Sequence, residues 1–162
     1  MREEVIELLK NNHLTLGSCE SLTGGLFSST VCSYPGVSSF FKGSIVSYSS
    51  LVKNRLVKIR QSTIDKYGVV SKQIARNMAK NAKRLLDVDI CISFTGNAGP
   101  SVLENKEVGL VYIGLAYQDK VMTYKKVFQG NRNQIREQVV DEGFKILKEF
   151  FSKTLKIDNK NN

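Results

Sequence analysis

Leu14-Thr15-Leu16-Gly17-Ser18-Cys19-Glu20-Ser21-Leu22-Thr23-Gly24-Gly25 passes from a short apolar run directly into a turn with adjacent glycines. Leu14 to Cys19 predicts a strand, and Leu26 to Ser33 predicts a helix stopped by Tyr34-Pro35-Gly36. Upstream, Arg2 to Asn11 places Val5, Ile6, Leu8 and Leu9 at helical spacing, with Asn11-Asn12-His13 closing the turn. Downstream, Ile45 and Val46 lie in a β-branched, aromatic-flanked run that predicts a second strand over Phe41 to Ser49, followed by polar residues Ser50 to Lys53. Ser71 to Leu86 carries Ile74, Met78, Ala82 and Leu85 three or four apart, with Ser71 placed to cap a helix. Asp89 to Phe94 predicts a buried strand that runs into a second Gly-rich turn, Thr95 to Pro100. Val108 to Tyr117 and Val121 to Phe128 predict a hairpin, and Asn133 to Phe151 a long amphipathic helix. This alternation predicts a three-layer α/β/α sandwich with a mixed β-sheet, in a single domain over residues 1–162 with a polar tail from about 156 to 162. In such folds ligands lie at the carboxyl ends of the strands, where both Gly-rich turns fall.

With 162 residues and 41% apolar side chains, the chain can bury one substantial core. Its start resembles an amphipathic helix rather than a secretory leader, and no apolar run approaches the roughly 20 residues that span a bilayer. A soluble, cytoplasmic protein without a membrane partner is the expectation. Three cysteines and one histidine exclude an ordinary zinc site and fit reduced thiols. The net charge of +9 is compatible with nucleic acid or with an anionic small substrate. Its cations run from Arg2 to Lys160 with no concentrated block and no RNA-binding aromatic motif, so nucleic acid is not among the expected partners.

Several residues have chemical potential. Gly24 and Gly25 permit close backbone approach, and free N–H groups at the following helix start favour an anion such as phosphate, although two glycines also suit a plain tight turn. Ser21 and Thr23 offer a nucleophile, hydrogen bonds or helix caps. His13 reads as a helix-end or surface residue, and Cys19 as a small buried one.

The motifs then accumulate in order. Glu20 to Gly25 (ESLTGG) resembles the ESCTGG signature of the CinA C-terminal domain family, and Pro35 to Ser39 with Phe41, Gly43 and Val46 resembles that family's PGSSxxFxGGxVxY segment. Tyr48 to Lys53 is similar to YSNEAK, Gly68 to Ser71 to GAVS, Thr95 to Pro100 to TGIAGP, Val108 to Tyr112 to VGTVY, and Gly130 to Arg132 to GDR. The resemblance extends from Leu14 to Leu147 and is closest to the stand-alone nicotinamide mononucleotide deamidases. It implies hydrolysis of the nucleotide's carboxamide to nicotinic acid mononucleotide and ammonia, without metal or cofactor. It places the catalytic pair on Ser21 and Lys53 and a site tyrosine on Tyr48. A lysine desolvated beside the serine can lose its proton near neutral pH and act as base. Amides near Thr23 to Gly25, or near Gly96, are alternatives for the oxyanion. Thr95, Gly96, Gly99 and Pro100 would form a second wall, and Arg132 suits either a nucleotide phosphate or a surface salt bridge. The expected partners are a small nucleotide substrate and further copies of the chain.

Near the expected pocket the chain departs from the family pattern. Leu22 replaces Cys, Ser50 replaces Asn, Asn97 replaces Ile, and Glu107 stands where Pro is common. The glycine-rich loop after TGIAGP is here Ser101-Val102-Leu103-Glu104-Asn105-Lys106, without glycine. A non-catalytic nucleotide-binding or competence-associated protein with an altered loop is therefore the alternative. A single-domain protein without the longer members' molybdopterin-binding-like domain is the expectation.

Overall fold

Every residue of β1 (Leu16–Glu20) is buried, the polar ones included. A central strand covered on both faces behaves in this way. In this computed structural model β1 pairs in parallel with β2 (Phe41–Val46) on one side and with β3 (Ile90–Gly96) on the other. The antiparallel strands β4 (Leu110–Tyr117) and β5 (Lys120–Val127) complete a five-stranded mixed sheet in the order β2-β1-β3-β4-β5. The backbone is described for residues 1–158 and the side chains for residues 1–154, so most of the polar tail, about 156–162, lies outside the described residues.

Helices α1 (Arg2–Asn11), α2 (Leu26–Cys32) and α6 (Arg132–Asp158) cover one face of the sheet. Phe27 anchors that layer, its ring 5.1 Å from Phe94 of β3 and 5.2 Å from Phe144 of α6. Helix α5 (Lys72–Leu86) covers the other face, with α4 (Gln61–Tyr67) against it. It approaches β4 closely because Gly114 has no side chain: a Cβ there would stand 2.5 Å from the carbonyl oxygen of Ala75. The expected α/β/α sandwich with a mixed sheet is the observed architecture.

Differences arise where local signals are thin. The β1 ladder begins at Leu16, while Thr15 before it donates through N and Oγ1 to Asp89 at 2.8 and 2.7 Å. The second strand stops at Val46 rather than Ser49. On α5, Leu85 is 41% exposed, and the inward positions are Ala75 and Ala79 beside Ile74, Met78 and Ala82. Two short helices replace what read as irregular chain: α3 (Ser50–Arg55) and α4. Helix α3 starts because the Ser49 hydroxyl accepts the Val52 N–H at 3.2 Å. Too short for apolar periodicity, it turns Lys53 inward.

Candidate active site

The carboxyl ends of β1 and β3 open into a cleft of about 540 Å³. One wall holds Ser21 and Leu22, a second Tyr48 to Ser50 with Lys53, and a third the turn from Thr95 to Ser101; Arg132 stands at the edge. In sequence these groups run from Ser21 to Arg132. The parallel pairing of β1 with β2 and β3 brings them together.

At the floor, Nζ of Lys53 lies 2.9 Å from Oγ of Ser21 and donates to the Ser47 carbonyl oxygen at 2.8 Å. Lys53 is 1% exposed and Ser21 is 8% exposed. No carboxylate among the described residues forms an ion pair with this ammonium, so burial pushes it from 10.5 down to about 8, with Cys19 and Glu104 opposing the shift. An amine titrating there can exchange a proton with the serine near neutral pH. The Cys19 thiol is driven the other way by burial, to about 11, and it does not line the cleft.

Ser21 is set by its neighbours. Its N–H donates to the Phe94 carbonyl oxygen at 2.9 Å, extending the β1–β3 pairing by one residue. The preceding Glu20 is fully buried, and its carboxylate accepts the N–H groups of Gly25, Phe27 and Ser28 at 3.0, 3.1 and 2.9 Å. The hydroxyls of Ser18 and Ser44 donate to the same carboxylate. Glu20 therefore ties the end of β1 to the start of α2 and fixes the turn that presents Ser21.

That arrangement corrects the expected phosphate cradle. Thr23, Gly24 and Gly25 do not line the cleft. The Gly24 N–H is given to Ser21 O and the Gly25 N–H to Glu20, so the α2 start already holds its anion within the chain. The glycines serve the turn itself, at φ +55 and +97, where other residues are strained. The two alternatives for the oxyanion also narrow, because Gly24 and Gly25 have no N–H to offer. The N–H groups of Leu22 and Thr23 have no acceptor among the described residues, and the buried Thr23 Oγ1 likewise has no partner. The carbonyls of Leu22 and Thr23 accept from Arg136 at 3.0 and 2.8 Å, so this guanidinium holds the turn from outside.

On the opposite wall, Thr95 Oγ1 donates to the Val69 carbonyl at 2.6 Å. A Cβ on Gly96 would meet the Leu110 carbonyl oxygen at 2.6 Å, and one on Gly99 would meet Val108 at 2.6 Å, so both glycines permit the tight turn. Arg132 donates to the Gly99 carbonyl and to the Tyr48 hydroxyl, at 2.6 and 2.8 Å. It forms no salt bridge among the described residues. Tyr48 is 60% exposed, which places it at the cleft mouth.

The glycine-free loop is fastened rather than open. Glu104 accepts the N–H groups of Val69 and Val70 at 2.8 and 3.0 Å, and Lys106 donates to the Val70 carbonyl. The Asn97 amide holds the Lys106 carbonyl at 3.0 Å. Two of the family departures, Asn97 and the loop, thus support each other and bring Leu103 into the cleft lining.

Glu20, Arg136 and Glu104 were not singled out by sequence. Arg136 stands four residues after Arg132 on the same helix, a spacing that puts both on one face. Glu20 sits beside the candidate nucleophile inside the quoted motif. For Glu104, only its position in the altered loop hinted at a role.

A three-layer domain with a serine and a buried lysine in contact at the strand ends defines a class, and the comparisons give it a family. Residues 1–151 match the CinA C-terminal domain, and the chain belongs to that family. It is 46% identical over 145 residues to a protein of Bacillus cytotoxicus described as competence-damage inducible, covering 89% of this chain and 35% of the relative. A protein of the same description from Listeria welshimeri is 40% identical over 149 residues, covering 91% and 36%. The chain spans about a third of the length of these relatives. Among solved structures, a CinA superfamily protein from Klebsiella pneumoniae superposes with a TM-score of 0.90 at 23% identity, covering 94% of this chain and 98% of that one. A competence/damage inducible protein from Agrobacterium tumefaciens gives 0.87 at 25% identity, covering 91% and 92%.

Proposed function

We propose that this domain is an amidohydrolase that deamidates nicotinamide mononucleotide, with Ser21 as nucleophile and Lys53 as its base. The observation that carries the reading is the 2.9 Å contact between a buried lysine amine, in no ion pair among the described residues, and a serine hydroxyl at the floor of the cleft. A surface lysine near 10.4 is a poor base at neutral pH, whereas one near 8 is about a tenth deprotonated at pH 7.

In the neutral form Lys53 takes the Ser21 proton as Oγ attacks the carboxamide carbon. The resulting oxyanion faces the Leu22 N–H on the cleft wall. Lys53 returns the proton to the departing nitrogen, the C–N bond breaks, and ammonia leaves an ester on Ser21. Water then attacks that ester, giving a proton to Lys53 and ultimately to Ser21 Oγ. The acid product, nicotinic acid mononucleotide, is released.

Arg132 and Lys53 are the cations that line the cleft. With Lys53 committed to Ser21, the substrate phosphate falls to Arg132, which Gly99 and Tyr48 hold at the mouth. The test is ammonia release from nicotinamide mononucleotide, nicotinamide riboside and unrelated primary amides. The mononucleotide is expected to be the best substrate, by about tenfold or more over the riboside, the worth of one charge-assisted phosphate contact. Equal rates for mononucleotide and riboside would remove Arg132 from recognition. Release from other amides alone would move the specificity elsewhere, and release from none would leave a non-catalytic binding protein.

A further inference from the structure

The net charge is not spread evenly over the fold. Helix α5 carries five cations and no acidic residue in 15 residues. Lys72, Arg76, Lys80 and Arg84 follow at intervals of four, with Lys83 beside the last. At about 100° and 1.5 Å per residue, these five lie within an arc of roughly 120° along roughly 18 Å of helix. None of them is in an ion pair among the described residues. Across the sheet the pattern is opposite: α1 and the described part of α6 mix acids with bases and hold the Arg2–Asp141 and Lys148–Glu4 pairs. Like charges at i,i+4 each cost a helix a few tenths of a kcal/mol, a cost that a bound polyanion relieves.

Two polar grooves flank the stripe. One, of about 510 Å³, runs from Lys80, Lys83 and Arg84 to Gln118 on the β4–β5 turn, with Asp87 and Asp119 also lining it. The other, about 310 Å³, lies between Asn77 and Asn81 of α5 and the Lys58 and Arg60 segment.

We infer that this face binds the phosphodiester backbone of a nucleic acid, without reading its bases. Successive cations about 6 Å apart on a line match a repeating anion better than a single phosphate, which needs donors converging on one point. A membrane surface fits less well, because the apolar side of α5 (Ile74, Ala75, Met78, Ala79 and Ala82) is already buried against the sheet and has nothing to insert. The fold thus gathers cations that look scattered along the sequence. This binding requires nothing of the Ser21 site.

The test is fluorescence polarisation with a labelled DNA oligonucleotide of roughly 20 nucleotides, longer than common single-strand site sizes, as a single strand and as a duplex. A vesicle arm containing anionic phosphatidylglycerol runs beside it. Binding is expected at about 50 mM salt in at least one DNA arm, falling with salt at a log–log slope of about −3 for four neutralised phosphates of a single strand. The variant Lys72→Gln/Arg76→Gln/Lys80→Gln/Arg84→Gln should lose at least tenfold in affinity and flatten that slope, and the smaller Arg76→Gln/Lys80→Gln should lose part of it. Lys145→Gln/Lys148→Gln on α6, with a similar change of net charge to the double variant, should bind as the parent does. A melting temperature no lower than the parent's in each variant assigns the loss to the face, and the fourfold α5 variant should melt somewhat higher as its like-charge pairs are removed. The inference is overturned by no DNA binding at low salt, by equal losses in the α5 and α6 double variants, or by vesicle binding without DNA binding.

Discussion

Ser21→Ala is expected to lower amide hydrolysis by roughly 10⁴-fold or more, the scale of removing a covalent nucleophile from a working dyad. Folding should be preserved. Ser21 is 8% exposed, and its backbone N–H, not its hydroxyl, holds the pairing to Phe94. The variant should therefore retain the substrate with near-parent affinity while releasing no ammonia above background. Hydrolysis within tenfold of the parent would take Ser21 out of the reaction. A variant that fails to bind and melts early would show instead that the hydroxyl supports the turn.

The second large effect concerns Lys53 and separates stability from activity. The unfolded lysine titrates at 10.5 and the folded one at about 8, so between those values the unfolded chain carries the extra proton. Stability therefore rises with pH across that window. Below it the full burden of burying the ammonium stands, on the order of 3 kcal/mol. Lys53→Met keeps the length and removes the charge, at the cost of one unpaired carbonyl at Ser47. The expected net gain at pH 7 is about 1–2 kcal/mol, seen as a melting temperature several degrees higher. The gain should shrink with rising pH and turn into a loss of about 1–2 kcal/mol near pH 10.5, where only the unpaired Ser47 carbonyl remains, and hydrolysis should be lost at every pH. Arginine is a poorer probe here, since its larger head group does not fit a site whose lysine is 1% exposed. A Lys53→Met protein less stable than the parent at pH 7 would mean that the ammonium is not strained by burial.

The particular residues explain what could be read before folding. The strand and turn around Ser21, the α5 periodicity and the hairpin all declare themselves locally, and they determine the layer order. Helix α3 does not, because six residues with one inward side chain show no period. For the same reason Lys53 looks like any surface lysine until Ser49 caps the turn and aims it at Ser21. Gly24 and Gly25 misled for a physical reason: a free helix start suggests an external anion, but Glu20 supplies that anion from within the strand. The cations of α5 were visible one at a time. Only the 3.6-residue turn of the helix, packed against the sheet, puts them on one side.

The dyad is tested most directly by the rate of ammonia release from nicotinamide mononucleotide as a function of pH. Lys53 acts as base only when neutral, so the rate should climb through a single rising limb with its midpoint near 8, the value that burial imposes. Ser21→Ala should be flat and near zero throughout. A wild-type rate without that limb, or one that Ser21→Ala leaves in place, would contradict the Ser21–Lys53 account.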